Sequence, residues 1–67
     1  MEVNSQIGET AGKVWNLLSE NGPLTTTQMR KKLNGSGELL NLALGWLARE
    51  DKVVVTQERR SFRIQLR

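Results

Sequence analysis

Val53-Val54-Val55-Thr56-Gln57-Glu58-Arg59-Arg60-Ser61-Phe62-Arg63-Ile64-Gln65-Leu66 places two strand-forming runs on either side of a charged loop. The first run, Val53 to Gln57, is dominated by β-branched residues, which pack well on a pleated surface. The second, Ser61 to Leu66, alternates, and that period of two predicts Phe62, Ile64 and Leu66 pointing inward. Glu58-Arg59-Arg60 is short enough to join the runs as a hairpin.

Working back from the hairpin, the chain reads as helical. Ile7, Ala11, Val14 and Leu18 recur at helical spacing and predict a first helix from about Ser5 to Asn21, flanked by Trp15 and Leu17. Glu9 and Lys13 form an i,i+4 pair on its wet side. Asn21-Gly22-Pro23 stops it, because Gly accepts a left-handed cap and Pro cannot continue the turn. Leu24 is a lone apolar residue, fit for a short bridge strand. Thr25 offers an N-cap, with Gln28 as its capping-box partner. A second helix follows from Thr26 to Leu33, with Met29 and Leu33 facing inward. Asn34-Gly35-Ser36-Gly37 is a turn whose Ser36 can cap a third helix, running from Gly37 to Glu50 before an exit at Asp51-Lys52.

Two helices joined by a short Gly-containing turn form a helix-turn-helix unit. Three helices alone fit many folds; the appended hairpin, read as a wing, narrows the choice. The predicted class is α+β, mainly α: a winged helix-turn-helix of three helices and a two-stranded wing, filling residues 1–67 as one domain.

The third helix departs from what DNA reading requires. A recognition helix shows polar side chains to base edges. Here the stretch is Glu38-Leu39-Leu40-Asn41-Leu42-Ala43-Leu44-Gly45-Trp46-Leu47-Ala48-Arg49-Glu50. At about 100° per residue, Leu40, Ala43, Leu44 and Leu47 form the core-facing stripe. Leu39, Leu42 and Trp46 gather on an adjoining flank, so the apolar arc covers roughly 200°, about twice an ordinary stripe. Either the domain wraps this excess, with Trp46 on the wing and Leu39 on the second helix, or the patch meets another protein. A second copy of the chain is the simplest such partner. Asn41 is the helix's main candidate base reader, and Glu38 at its start would repel phosphate.

The net charge is +3, unevenly spread. Residues 1–22 hold Lys13 against Glu2, Glu9 and Glu20, which gives −2. The surplus therefore lies downstream. Arg30, Lys31 and Lys32 sit on the second helix, and Lys52, Arg59, Arg60, Arg63 and Arg67 sit on or beside the wing. Such groups can hold a duplex by its phosphates without reading sequence. They equally serve as a solvated face. Phe62 is the one aromatic residue among the wing arginines, too few for a single-strand stacking platform.

Cys, His and Tyr are absent. Zinc sites draw on Cys or His, and nucleophile–base pairs draw on His, so no catalytic residue, metal, cofactor or small-molecule substrate is expected. Glu50-Asp51 is the one adjacent acid pair, at a predicted helix end. No apolar run approaches the roughly 20 residues of a membrane span. Met1 to Ser5 does not resemble a secretion signal. A cytoplasmic location is the expectation. Gly8 and Gly12, four apart on the first helix, suggest either close approach of another element, such as Trp46, or mere tolerance.

Ile7-Gly8, Ala11-Gly12, Val14-Trp15 and Leu18, followed by Ala43, Gly45-Trp46-Leu47-Ala48-Arg49-Glu50 and Lys52-Val53, resemble a family of small stand-alone winged helix-turn-helix proteins of bacteria and archaea. The Gly45 to Lys52 stretch is the most specific part. The resemblance implies the winged-helix fold and supplies no catalytic residues. The residues together lead to the expectation of a non-enzymatic binding module that pairs as a homodimer through Leu39, Leu42 and Trp46. The alternative is a regulator gripping double-stranded DNA with Arg30, Lys31, Lys32, Asn41, Lys52, Arg59, Arg60 and Arg63.

Overall fold

A computed structural model describes residues 2–33, 35 and 37–67. Its elements are α1 (Asn4–Asn21), β1 (Leu24–Thr25), α2 (Thr26–Leu33), α3 (Gly37–Arg49), β2 (Val53–Gln57) and β3 (Phe62–Leu66). Element order agrees with the sequence reading, and boundaries differ by a residue at most. Asn34 and Ser36, and with them the expected Ser36 cap, lie outside the described residues, as does Met1.

Local chemistry explains the joints. At the end of α1 the Gly22 N–H donates to the Leu18 carbonyl at 2.8 Å. Gly22 itself has φ 78° and ψ −162°, a region open essentially to glycine alone. Thr25 and Gln28 form the expected capping box: the Thr25 N–H donates to Gln28 Oε1 at 2.9 Å, and the Gln28 N–H donates to Thr25 Oγ1 at 3.2 Å. At the exit of α3 the Lys52 N–H donates to the Leu47 carbonyl and the Asp51 N–H to that of Ala48. This is a Schellman closure, with Asp51 in the left-handed position at φ 61°.

The sheet is antiparallel, ordered β1-β3-β2, so β3 is central and β2 is an edge. Leu24 pairs with Ile64, confirming the bridge strand. Val55 also faces Ile64, Val53 faces Leu66 and Gln57 faces Phe62. Directly paired residues share a face, so Leu24, Val53, Val55, Phe62, Ile64 and Leu66 all lie on the inner side.

The core joins every element. Ala11, Val14 and Leu18 of α1, Met29 of α2, and Leu40, Ala43, Leu44 and Leu47 of α3 close over Leu24, Val53 and Ile64. Ile7, Leu17, Leu33 and Leu66 pack around the margin. One expectation needs correction. Phe62 has the inward parity but is 48% exposed. Across from this part of the inner face α3 offers only the small residues Gly45 and Ala48, so Phe62 is left uncovered, and Val55 beside it is 42% exposed for the same reason.

Candidate interaction surface

The four residues predicted to face the core from α3, Leu40, Ala43, Leu44 and Leu47, are buried. What α3 shows to solvent is Glu38, Asn41, Leu42, Gly45, Trp46, Ala48 and Arg49. One amide and two opposite charges make a poor base-reading set.

The surplus flank is only partly wrapped. Leu42 is 51% exposed and Trp46 46% exposed. Leu39 is half-buried and borders a hollow of about 140 Å³ with Thr10 and Lys13 of α1 and Arg30 and Leu33 of α2. Leu39 and α2 thus line one hollow, on the side to which the wrapping alternative assigned Leu39. Trp46 does not fold onto the wing. It lies beside α1, where it lines one hollow with Asn4, Ile7 and Gly8 and another of about 380 Å³ with Gly8, Gly12, Trp15 and Lys52. Trp15 is 44% exposed. Sequence reasoning placed Trp15 beside the core stripe but did not connect it with Trp46. The α1–α3 packing that brings them together is a long-range relationship that periodicity cannot reveal.

At Gly8 and Gly12, of the two alternatives the sequence left open, tolerance fits and close approach does not. A Cβ at either position would meet no atom within 4 Å. They are not required for close packing; their lack of side chains leaves the Trp15–Trp46 hollow open.

On the other flank of α3 lies a second apolar depression, also of about 380 Å³. Gly45 and Ala48 of α3 form one wall, Val55, Phe62 and Ile64 of the wing form the other, and Asn41 stands at its margin. It exists because α3 offers no bulk at Gly45 and Ala48 while the wing overhangs. Asn41, expected as a base reader, thus borders an apolar groove.

The basic residues divide into paired and unpaired. Arg63 forms an ion pair with Glu58 at 3.5 Å, and Arg67 with Asp51 at 2.7 Å. Both pairs are largely exposed, so each contributes little. The Arg30 stem reaches the start of α3, with Cδ and Nε 3.9 Å from where a Cβ on Gly37 would stand. Lys31, Lys32, Lys52, Arg59 and Arg60 are exposed and form no ion pair within 4 Å among the described residues. The cations are spread over α2, the start of β2 and the wing tip, not collected in one cleft. Among the described residues no three His, Cys, Asp or Glu side chains cluster as metal ligands, and no helix is long and apolar enough to cross a membrane.

This geometry agrees with the relatives. The family model for a winged helix-turn-helix domain (DUF2582) matches residues 1–66. The chain belongs to this family. An uncharacterised protein of the archaeon Methanocaldococcus jannaschii, MJ1608, is 42% identical over 65 residues, covering 92% of this chain and 91% of its own. Among solved structures, this winged-helix chain is similar to the solution NMR structure of BT2368 from Bacteroides thetaiotaomicron. The two are 37% identical, with a TM-score of 0.82 over 97% of this chain and 79% of that one. The sequence-level resemblance to small winged helix-turn-helix proteins is thereby confirmed, as is the fold.

Proposed function

We propose that this winged-helix protein is a non-enzymatic binding module that pairs with a second copy of itself through the apolar flank of α3. One observation carries the reading. Leu42 and Trp46 each leave about half their surface in water although the domain already has a closed core without them. Keeping such groups exposed is unfavourable, and covering them with the same patch of a partner gives a closed two-fold pair.

Size constrains where the interface runs. A standard interface takes about 800 Å² from each partner, roughly one-sixth of the 4900 Å² surface of this chain. A helix flank of 13 residues is about 20 Å long and 10 Å wide, so it supplies only a few hundred Å². The interface therefore extends from Leu42 and Trp46 onto Trp15 and Gly12 of α1, with Leu39 at its margin. Sedimentation equilibrium, or size exclusion with light scattering, tests the proposal. A dimer at micromolar concentration supports it; a clean monomer at high micromolar concentration removes it. A cytoplasmic location belongs to the same reading.

A second reading has its own support. Lys31, Lys32, Arg59 and Arg60 are exposed cations without ion-pair partners among the described residues. They suit phosphate contacts to duplex DNA, free of sequence preference because α3 offers so few base readers. Binding to an arbitrary duplex at ~50 mM salt, weakening steeply as salt rises, supports this reading, and no binding there removes it.

A further inference from the structure

We infer that the free edge of β2, together with the groove beneath it, takes an extended acidic–apolar peptide as an added strand. The site opens on the other flank of α3 from the Trp15–Trp46 hollow, with Gly45 one turn from Leu42 on the solvent side between them.

The first argument is the hydrogen-bonding edge. The Arg67 N–H donates to the Lys52 carbonyl, and the Glu58 N–H donates to the Ser61 carbonyl. Bonded pairs alternate in an antiparallel ladder, so Val54 and Thr56 also bond towards β3. Val55 and Gln57 consequently turn their N–H and C=O groups away from β3. Because β2 is the sheet's edge, these groups have no backbone partner among the described residues. They form a short template for another strand.

The second argument is the groove. Val55 and Gln57 place their side chains on the inner face, next to Phe62. A strand paired with them points alternate side chains to that same face, beside the Val55 end of the apolar depression that runs inward over Phe62 and Ile64 beneath Gly45 and Ala48 to Thr26. Half-exposed Val55 and Phe62 are covered by such a ligand, and apolar residues at alternate positions fit it.

Charge identifies the partner. Lys52 stands at the start of β2 and Arg59 and Arg60 lie just beyond its end, all without ion-pair partners among the described residues. Glu50 and Asp51 offset Lys52 at the start of β2, whereas Arg59 and Arg60 exceed Glu58 at its end, so a ligand strand with apolar alternation in its middle and acids towards the wing tip complements this edge. A basic segment is repelled by it.

The test is an amide-resolved NMR titration with the peptide acetyl-Glu-Asp-Val-Thr-Ile-Thr-Val-Asp-Glu-amide. Controls are the same peptide with Lys for every acid, and one N-methylated at alternate residues. The expected result is saturable shifts centred on Val55, Gln57, Gly45 and Ala48, with a Kd below about 1 mM. Both controls should bind at least about tenfold more weakly. Gly45→Leu fills the groove, and Arg59→Glu with Arg60→Glu reverses the tip charge. Each should weaken binding about tenfold while the spectrum stays dispersed. The inference is overturned by no saturable shift at millimolar peptide, by equal affinity for either control, or by shifts centred on Leu42 and Trp46. It is also overturned if duplex DNA moves the Val55 and Gln57 amides while the acidic peptide does not. A monomeric protein that still binds the peptide removes the dimer and leaves this site standing.

Discussion

Trp15 of α1 and Trp46 of α3 border one hollow, whose α1 wall offers only Gly8, Ala11 and Gly12 between them. Two large half-exposed rings around a bare helix surface are what a protein contact uses, since tryptophan carries a disproportionate share of interface energy. The prediction is that Trp46→Ala weakens self-association by 2 kcal/mol or more, about 30-fold. Leu42→Glu is the cleaner variant. Leu42 is half exposed, and Glu is a good helix former, so the monomer should keep its fold while a charge enters the proposed contact. Sedimentation of both variants beside the parent chain checks this. An unchanged association constant for Leu42→Glu counts against the proposed face.

The wing and the three helices were legible because each has a short-range cause. Gly22 stops α1, the Thr25–Gln28 box starts α2, and the β-branched run Val53 to Val55 sets β2. The buried stripe of α3 was legible from period alone. Phe62 was not, because parity gives the face of a strand but not how much bulk stands across from it. The Gly45–Ala48 groove was missed for a related reason. It depends on small residues of one element facing an overhang of another, and no local pattern encodes that distance. That Lys52 and Arg59 with Arg60 stand at opposite ends of one free strand edge was half visible: the charges were counted, but the edge became apparent only once β3 was seen at the centre.

Two glycines should respond oppositely to alanine. At Gly22, φ 78° with ψ −162° is closed to side-chain-bearing residues, so Gly22→Ala should cost about 1–3 kcal/mol. At Gly45, inside α3, a Cβ meets open space, so Gly45→Ala should stabilise by up to about 1 kcal/mol through helix propensity. Thermal unfolding at one fixed protein concentration checks both. For a domain of this length each kcal/mol moves Tm by roughly 4–8 °C, downward for Gly22→Ala and upward for Gly45→Ala.

Asp51 combines a left-handed backbone with an ion pair to Arg67, and substitutions can separate the two. Asn tolerates the left-handed region and removes the charge. Asp51→Asn should therefore cost less than about 1 kcal/mol, the value of an exposed pair. Asp51→Val should cost more, about 1–2 kcal/mol from the backbone alone, because a β-branched residue is strained at φ 61°. Urea unfolding of the two variants ranks them. If Asp51→Asn proves the worse, the ion pair and not the helix closure holds this corner.

Ile64 and Phe62 sit two residues apart on the same face of β3, yet they should differ sharply in what their loss costs. Ile64 is buried at the point where Leu24 and Val55 both pair with it. Ile64→Val should cost about 0.5–1.5 kcal/mol and Ile64→Ala about 2–5 kcal/mol, because a cavity opens under α1 and α3. The larger loss approaches the whole stability available to so short a domain, so Ile64→Ala is expected to be largely unfolded at physiological temperature. Phe62 faces only small residues of α3 and already meets water, so Phe62→Ser should cost less than about 1 kcal/mol. Circular dichroism melts of the three variants check the order. A Phe62→Ser cost near that of Ile64→Ala would mean that the wing tip is covered in solution. Closure of the groove against Gly45 and Ala48 of α3, or a bound partner, would then supply that cover.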